Sequence, residues 1–244
     1  MYAWALSDEI ATPVLGPELP SIHQTRAELI ERPVREAIAR AGPQARALDL
    51  ACNEGWFSHR LLEWGAAQVV AVDIRPENIR RAKLIRDHFE IPKERLELIE
   101  ADVYSVTPQE LGSFDVVLLL GLVYHVEDPM GLIRRASALT RSLCAIESQL
   151  TRQEAPIVHG WGGSDSLEHA PGSLAVRVEH DSSANLLASA PGVLSLIPNR
   201  MALHQMARLA GFREIGFANP APHHNQQYVS GDRGVLLAWR DKSD

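Results

Sequence analysis

The sequence is poor in the features that mark secreted and membrane proteins. Two cysteines in 244 residues are too few for a disulfide framework or a cysteine-rich zinc site, and they suit a reducing, cytoplasmic compartment. The longest apolar run, residues 116–123, is too short to span a bilayer. No basic residue precedes Arg26, so we expect no targeting segment at the start of the chain.

Positive charge is also scarce. The chain carries 24 lysines and arginines against 31 aspartates and glutamates, for a formal net charge of −7. A protein with this balance lacks a general attraction to nucleic-acid phosphates. Basic residues do cluster within residues 80–86, but acids surround them, and we interpret the cluster as a solvated helix face. The expected partner is therefore a small molecule rather than a nucleic acid, and a homodimer is compatible with the sequence.

The chain is long enough, and at 45% hydrophobic content apolar enough, to bury a sizeable core. We predict one α/β domain over residues 1–244. An N-terminal arm and helix occupy residues 1–43, and an insertion after the fifth strand occupies residues 149–198. Pro33 predicts a kink in the first helix or a break into two helices.

The most informative stretch is RALDLACNEGWFSHR, residues 46–60. It predicts an apolar strand, a turn of small residues and the start of a helix. Gly55 can adopt a positive φ at no steric cost, and the N–H groups of the new helix point toward the turn. An open α/β sheet holds a nucleotide-like cofactor in this way.

Within that stretch, LDLACNEG resembles the first motif of the class I S-adenosylmethionine (SAM) dependent methyltransferases. Where that motif has its first two glycines this chain has Ala51 and Asn53, and Gly55 is kept. Asparagine is the non-glycine residue that best tolerates the left-handed conformation, so the turn can still close. The resemblance implies SAM as cofactor and a Rossmann-like seven-stranded sheet with helices on both faces, whose last strand is inserted antiparallel. The altered turn leaves open a non-catalytic SAM-binding protein.

Two further acids follow strands at the spacing that a cofactor site needs. Asp73 ends the second strand, 24 residues after Asp49, where a carboxylate can accept hydrogen bonds from both ribose hydroxyls; a cap for the next helix is the alternative. In the resembled family an acid after the third strand accepts the adenine amine, and Asp102 with the backbone N–H of Val103 matches that position. An ordinary turn aspartate is the alternative there. The predicted cofactor residues are Asp49, Ala51, Asn53, Gly55, Trp56, Asp73, Ile74, Asp102, Val103 and Leu120.

The stretch GLVYHVEDP, residues 121–129, follows the fourth strand. It resembles the segment that lines the space between the methyl sulfonium and the acceptor in many of these enzymes, including ubiquinone-type and small-molecule O-methyltransferases. The Tyr-His pair also resembles the tRNA wobble-uridine carboxymethyltransferases. We predict His125 as the general base for an acceptor hydroxyl, because an imidazole pKa near 6.5 suits that task; a structural histidine is the alternative. Tyr124 is a weaker candidate for a substrate contact, and Asp128 is predicted to cap the next helix.

Glu147 ends the fifth strand, and we predict it as a second catalytic or substrate-binding group. The insertion that follows would cover the cleft and shape the acceptor pocket. His159, Trp161 and His169 are its candidate substrate contacts. A divalent cation is a further hypothesis, with ordinary polar surface residues as the alternative. The candidate cation ligands are Glu147, Asp165, Glu168 and His169.

Together these features predict SAM-dependent O-methylation of a small polar acceptor, either sugar-like or a natural product. A tRNA wobble-uridine methyl- or carboxymethyltransferase-like enzyme and a non-catalytic SAM-binding protein are the alternatives.

Overall fold

A computed structural model describes residues 4–6, 9, 11–12, 16–153, 172–178 and 194–240. Its centre is a seven-stranded sheet with the order β3-β2-β1-β4-β5-β9-β8. A separate two-stranded sheet pairs β6 with β7. The strands are β1 Arg46–Leu50, β2 Gln68–Asp73, β3 Leu96–Glu100, β4 Phe114–Leu120, β5 Thr140–Gln149, β6 Leu174–Val178, β7 Leu194–Pro198, β8 Glu214–Phe217 and β9 Arg233–Trp239.

The five strands β1 to β5 are parallel, and β9 runs antiparallel to both of its neighbours, β5 and β8. This arrangement confirms the predicted seven-stranded sheet with an antiparallel ending. Leu50 of β1 pairs with Leu119 of β4, so the carboxyl ends of these strands lie side by side. Because β9 is reversed, its first residue, Arg233, pairs with Gln149 at that same edge of the sheet.

Helices cover both faces of the sheet, as predicted for a fold whose parallel strands are apolar on both sides. Buried side chains of α1, α2 and α3 belong to one hydrophobic core, and those of α5 and α6 belong to the other. The helices are α1 Leu19–Ala41, α2 Trp56–Glu63, α3 Pro76–His88, α4 Pro108–Leu111, α5 Pro129–Leu139, α6 Arg200–Leu209 and α7 Gln226–Val229, and a 3₁₀ helix spans Val123–His125.

The first helix, α1, spans Leu19–Ala41. It runs through Pro33 as one continuous helix, so the predicted break into two helices does not occur. Its buried stripe recurs at three- and four-residue steps and includes Ile22, Arg26, Ile30 and Val34. This stripe faces β4, β5 and β9. The amphipathic pattern therefore places a charged residue, Arg26, on a mostly apolar contact surface.

Part of the predicted insertion is a β-hairpin-like pair. Residues 174–178 pair antiparallel with residues 194–198 as the strands β6 and β7. The second of them, β7, packs against the 3₁₀ helix that follows β4. In the described ranges, none of the helices combines the length and apolar character needed to cross a membrane.

Candidate functional site

The turn after β1 closes without two of its expected glycines. Ala51 and Asn53 adopt left-handed φ values of 60° and 53°, and Gly55, the residue before α2, has a φ of 80°. The N–H of Cys52 donates to the carbonyl of Val72 at 2.9 Å, which ties the turn to the end of β2. The backbone thus takes the compact form needed for close approach of a ligand, at the cost of a strained alanine.

Asp73 organises this turn from the neighbouring strand. Its carboxylate is 6% exposed and accepts the N–H of Asn53 at 2.8 Å, the N–H of Arg75 at 2.9 Å and the amide of Asn78 at 3.1 Å. Burial raises the pKa of Asp73 overall, although these hydrogen bonds lower it. Arg75 rather than Asp73 is the cap residue of α3, so the capping alternative does not hold. A carboxylate has room for about four hydrogen bonds, so acceptor capacity toward a ribose is left.

Asp49 is a second buried carboxylate beneath the turn. It is 3% exposed, and the Ser58 hydroxyl donates to it at 2.7 Å. Burial raises the pKa of Asp49 to about 7, and the nearby negative charge of Asp73 adds to the rise. Burial also raises the pKa of the Cys52 thiol in the same turn well above its ordinary value, which disfavours the reactive thiolate. A cationic ligand placed here would favour the ionised form of Asp49.

The loop after β3 supplies the third part of the predicted cofactor site. Asp102 is exposed, and its Oδ1 accepts the N–H of Tyr104 at 2.9 Å, while Val103 is buried. The Tyr104 hydroxyl donates to the carbonyl of Asp128 at 2.8 Å and so joins this loop to the one after β4. Ile74, beyond the end of β2, is 61% exposed and free to pack on a flat ring. These positions follow neighbouring strands, as the sequence predicts.

The remaining predicted cofactor residues, Trp56 and Leu120, border the same edge. Trp56 is the first residue of α2 and is half-buried, with Arg60 stacked over its ring at 4.8 Å. Leu120 is the last residue of β4 and is 9% exposed. The predicted set thus comes together on the carboxyl ends of β1, β2, β3 and β4, which is where open α/β sheets bind ligands.

The 3₁₀ helix follows the sharp turn at Gly121, whose φ is 77°. Its His125 is half-buried, and the His125 N–H donates to the carbonyl of Leu122 at 2.8 Å. The Tyr124 ring lies 4.1 Å from the His125 ring and is 7% exposed. Asp128 accepts the N–H of Gly131 at 2.7 Å, which confirms the predicted cap of α5.

The chemistry of this edge fits SAM. Asp49 would face the cationic part of the cofactor, Asp73 would accept from the ribose hydroxyls, and Asp102 with Val103 would meet the adenine. Gly55 stands directly before α2, whose N-terminal end favours negative groups, and its own N–H donates to the Cys52 carbonyl at 2.9 Å. The altered turn therefore keeps the compact backbone that the sequence predicts for it.

Glu147 lies in a group that we name the ion cluster, made of Arg26, Glu147, Tyr228 and Arg233. Glu147 is completely buried; its two carboxylate oxygens lie 2.9 Å from Arg26 Nη2 and 2.8 Å from Arg233 Nη1. The Tyr228 hydroxyl donates to it at 3.0 Å. Burial raises the pKa of Glu147, but the two arginine charges outweigh that effect and hold the pKa below its ordinary value. The catalytic and cation-binding roles predicted for Glu147 stay predictions.

Sequence reasoning did not single out Arg26, Tyr228 or Arg233. They lie on α1, on α7 and at the start of β9, and no short motif connects them. The one signal was an acid at the end of an apolar strand, because a buried carboxylate requires counter-charges from elsewhere.

The described part of the chain brings three possible metal ligands together, at a place other than the predicted one. Glu28 Oε2 lies 3.4 Å from His223 Nε2 and 3.0 Å from His224 Nε2. His224 Nδ1 accepts the N–H of Ala221 at 2.9 Å, so Nε2 carries the proton of the neutral ring. This tautomer favours a hydrogen bond to Glu28 over metal ligation. The predicted residues His159, Trp161, Asp165, Glu168 and His169 lie outside the described residues.

Comparison with known proteins finds similarity to methyltransferases. Residues 48–143 match a family model described as "Methyltransferase domain". A ubiquinone biosynthesis O-methyltransferase of Xanthomonas campestris pv. campestris (strain B100) is 32% identical over 99 residues, which cover 41% of this chain and 40% of that protein. The corresponding enzyme of Xanthomonas axonopodis pv. citri (strain 306) is 30% identical over 129 residues, covering 52% and 49%. The chain thus matches half or less of the length of these curated relatives.

Solved structures share the fold over most of the chain. The N-terminal domain of EvdMO1 with S-adenosylhomocysteine (SAH) bound aligns with a TM-score of 0.69 and 22% identity, covering 96% of this chain and 88% of that one. The same domain in the presence of SAH and D-fucose aligns with a TM-score of 0.64 and 23% identity, covering 90% of this chain and 84% of that one. Magnesium protoporphyrin IX methyltransferase from Synechocystis PCC 6803 with bound SAM aligns with a TM-score of 0.60 and 13% identity, covering 94% of this chain and 86% of that one.

Proposed function

The chain contains a domain of the class I SAM-dependent methyltransferase family, and we propose that it methylates a hydroxyl oxygen of a small polar acceptor, with His125 as the general base. The acceptor would be sugar-like or a natural product. The cofactor is SAM, as indicated by the matching family and by neighbours with bound SAM and SAH.

One observation carries the proposal: His125 stands at the edge of the sheet that holds the predicted cofactor residues. It lies five residues beyond Leu120, at the end of β4, and β4 is the neighbour of β1. The turn after β1 and the 3₁₀ helix therefore face the same space above the sheet. A base that accepts a proton from an attacking hydroxyl must be within hydrogen-bond reach of it, and the place of His125 beside the predicted cofactor site supports that role.

When bound, SAM supplies an electrophilic methyl group on a sulfonium. The residues of this chain then have two tasks: to hold acceptor and methyl in line, and to remove the acceptor proton as the new carbon–oxygen bond forms. His125 Nδ1 or Nε2 takes that proton. Tyr124, packed against the His125 ring, limits how the imidazole can turn.

Several observations support an oxygen atom of a small acceptor. The matched curated relatives are named O-methyltransferases, and one neighbour of the same fold was crystallised in the presence of D-fucose. The packing of β7 against the 3₁₀ helix supports the view that the insertion borders the acceptor. The RNA alternative gains no support from α3, because Arg80 and Arg81 pair with Glu77 at 2.8 Å and 3.0 Å.

The test is His125→Ala, assayed by transfer of a labelled methyl group from SAM to a panel of phenols and 6-deoxyhexoses. We expect kcat to fall about 100- to 10,000-fold with the acceptor that the wild type methylates, since that is the usual contribution of a general base. The Kd for SAM, measured by calorimetry, should stay within about twofold, because the cofactor residues are untouched.

His223→Ala provides the matched control, since the His223 side chain is 73% exposed and belongs to the loop before α7. Its kcat should equal that of the wild type. A wild-type kcat in His125→Ala would refute the base assignment.

A further inference from the structure

Glu147 connects two elements that come from distant parts of the chain. Through Arg26 it holds α1, and through Arg233 it holds the start of β9. The side chains of both arginines are 7% exposed or less, so solvent does not weaken these pairs as it weakens surface ion pairs. The Tyr228 hydroxyl, which donates to Glu147, also receives a long hydrogen bond of 3.4 Å from Arg26 Nε.

The ion cluster also reaches the 3₁₀ helix. Arg233 Nη1, which donates to Glu147, lies 3.4 Å from the Tyr124 hydroxyl, and the Arg233 guanidinium is 5.7 Å from the centre of the Tyr124 ring. Tyr124 in turn packs against His125 at 4.1 Å. A continuous series of contacts therefore runs from the Glu147 carboxylate through Arg233 and Tyr124 to the His125 ring.

A backbone hydrogen bond connects β5 to the residue that follows β4. The Gly121 N–H donates to the Glu147 carbonyl at 3.0 Å. A Cβ added at Gly121 would lie 3.4 Å from Arg26 and 3.6 Å from the Glu147 carboxylate, so the turn that starts the 3₁₀ helix is packed directly against the ion cluster. The turn before the short helix and its central residue, Tyr124, thus both contact the same buried group.

We propose that Glu147 is a positioning residue, which fixes the orientation of His125 by holding Arg233 against Tyr124 and Arg26 against the Gly121 turn. This inference rests on the proposed role of His125 as the base. It assigns no proton transfer to Glu147, whose carboxylate is sealed from solvent by its partners. A residue that acts at a distance in this way is expected to affect kcat more than cofactor binding.

The experiment compares Glu147→Gln with Asp115→Asn, a matched control at the opposite edge of the sheet. Asp115 is also an acid with its own partners, and its side chain is 14% exposed. It accepts the N–H of Arg46 at 2.8 Å and pairs with Arg141 at 3.6 Å. Both variants remove one carboxylate charge and lower general stability. Only the first lies beside the 3₁₀ helix.

Two measurements need no acceptor. The first is hydrogen exchange of residues 121–126, where Glu147→Gln should exchange several-fold faster than both wild type and Asp115→Asn. The second is an NMR titration of the ¹³C-labelled His125 ring, assigned with His125→Ala; Glu147→Gln should change its chemical shift and titration midpoint. With an acceptor in hand, kcat should fall by up to about 100-fold, with the SAM Kd little changed.

If exchange and ring signals in Glu147→Gln match those of Asp115→Asn, the positioning role is wrong. Should Glu147→Gln fail to fold, Tyr124→Phe decides, because it deletes the hydroxyl that meets Arg233 and leaves the buried charges intact. Its His125 titration must then differ from wild type, and an identical titration overturns the proposal. A normal kcat in His125→Ala would refute the base instead, and the acceptor-free measurements distinguish the two failures.

Discussion

Two buried carboxylates stand at the same edge of the sheet, and their environments differ. Asp49, at the β1 end, is 3% exposed, and burial raises its pKa to about 7. Glu147, at the β5 end, is fully buried, yet Arg26 and Arg233 hold its pKa below the ordinary value. On the β5 side the protein itself supplies two counter-charges to the carboxylate. The β1 side has a carboxylate whose ionised form gains from a cation brought by a ligand, and SAM is such a ligand.

The largest expected effect on stability comes from removing one of the two arginine charges that face Glu147. Arg26→Met keeps most of the apolar stem of the side chain but removes one of the two charges that face Glu147. We expect the free energy of unfolding to fall by about 1–3 kcal/mol, because one oxygen of the buried carboxylate loses its partner while Arg233 and Tyr228 remain. Urea unfolding monitored by circular dichroism measures the loss.

Arg86→Met is the matched control for Arg26→Met. Arg86 is also a buried helix arginine, 4% exposed, but the side chain of its partner Asp87 is 63% exposed. Its loss should cost about 1 kcal/mol or less, since Asp87 can turn to water. Equal losses of unfolding free energy in the two variants would contradict a particular contribution of the ion cluster to stability.

The next-largest expected effect on stability concerns Asp49, on the β1 side, and depends on pH. The folded pKa of Asp49 is raised, so the free protein binds an extra proton relative to the unfolded chain from about pH 4 to pH 7. The stability due to this proton is complete below the unfolded pKa and is lost as the pH rises through 7. Between pH 6 and pH 8 the loss should be about 1.4 kcal/mol.

Asp49→Asn isolates this contribution from other groups that titrate in the same range. The difference between wild type and variant in unfolding free energy should change by that amount between pH 6 and pH 8, in the absence of cofactor. SAM binding should show the opposite trend in the wild type and strengthen as Asp49 ionises. A difference between wild type and variant that is independent of pH would contradict the assignment.

The contrast between the two sides also explains what the sequence could predict. The β1 side is local: strand, turn and helix follow one another in residues 46–63, and Asp73 ends the next strand. Apolar runs, small residues and acids at strand ends are sufficient to locate it. The β5 side is assembled from residues 26, 124, 147, 228 and 233, on elements that meet only in the folded sheet. The single-turn helices α4 and α7 and the 3₁₀ helix also have no periodicity long enough to be recognised.

The smallest expected effect is a gain, and it lies in the turn that makes the β1 side recognisable. Ala51 has a φ of 60°, a conformation that costs a non-glycine L-residue about 1 kcal/mol or more. Ala51→Gly removes that strain but gives the unfolded chain more freedom, so we expect a net stabilisation of about 0.5 kcal/mol.

Ala71→Gly is the control: Ala71 is fully buried in the extended strand β2, where glycine should be destabilising by about 1 kcal/mol. Thermal unfolding of the two variants should therefore shift in opposite directions, and Ala51→Gly should keep its affinity for SAM because the path of the backbone is unchanged. A loss of stability in both variants would mean that the alanine side chain is held by contacts worth more than the strain of its backbone.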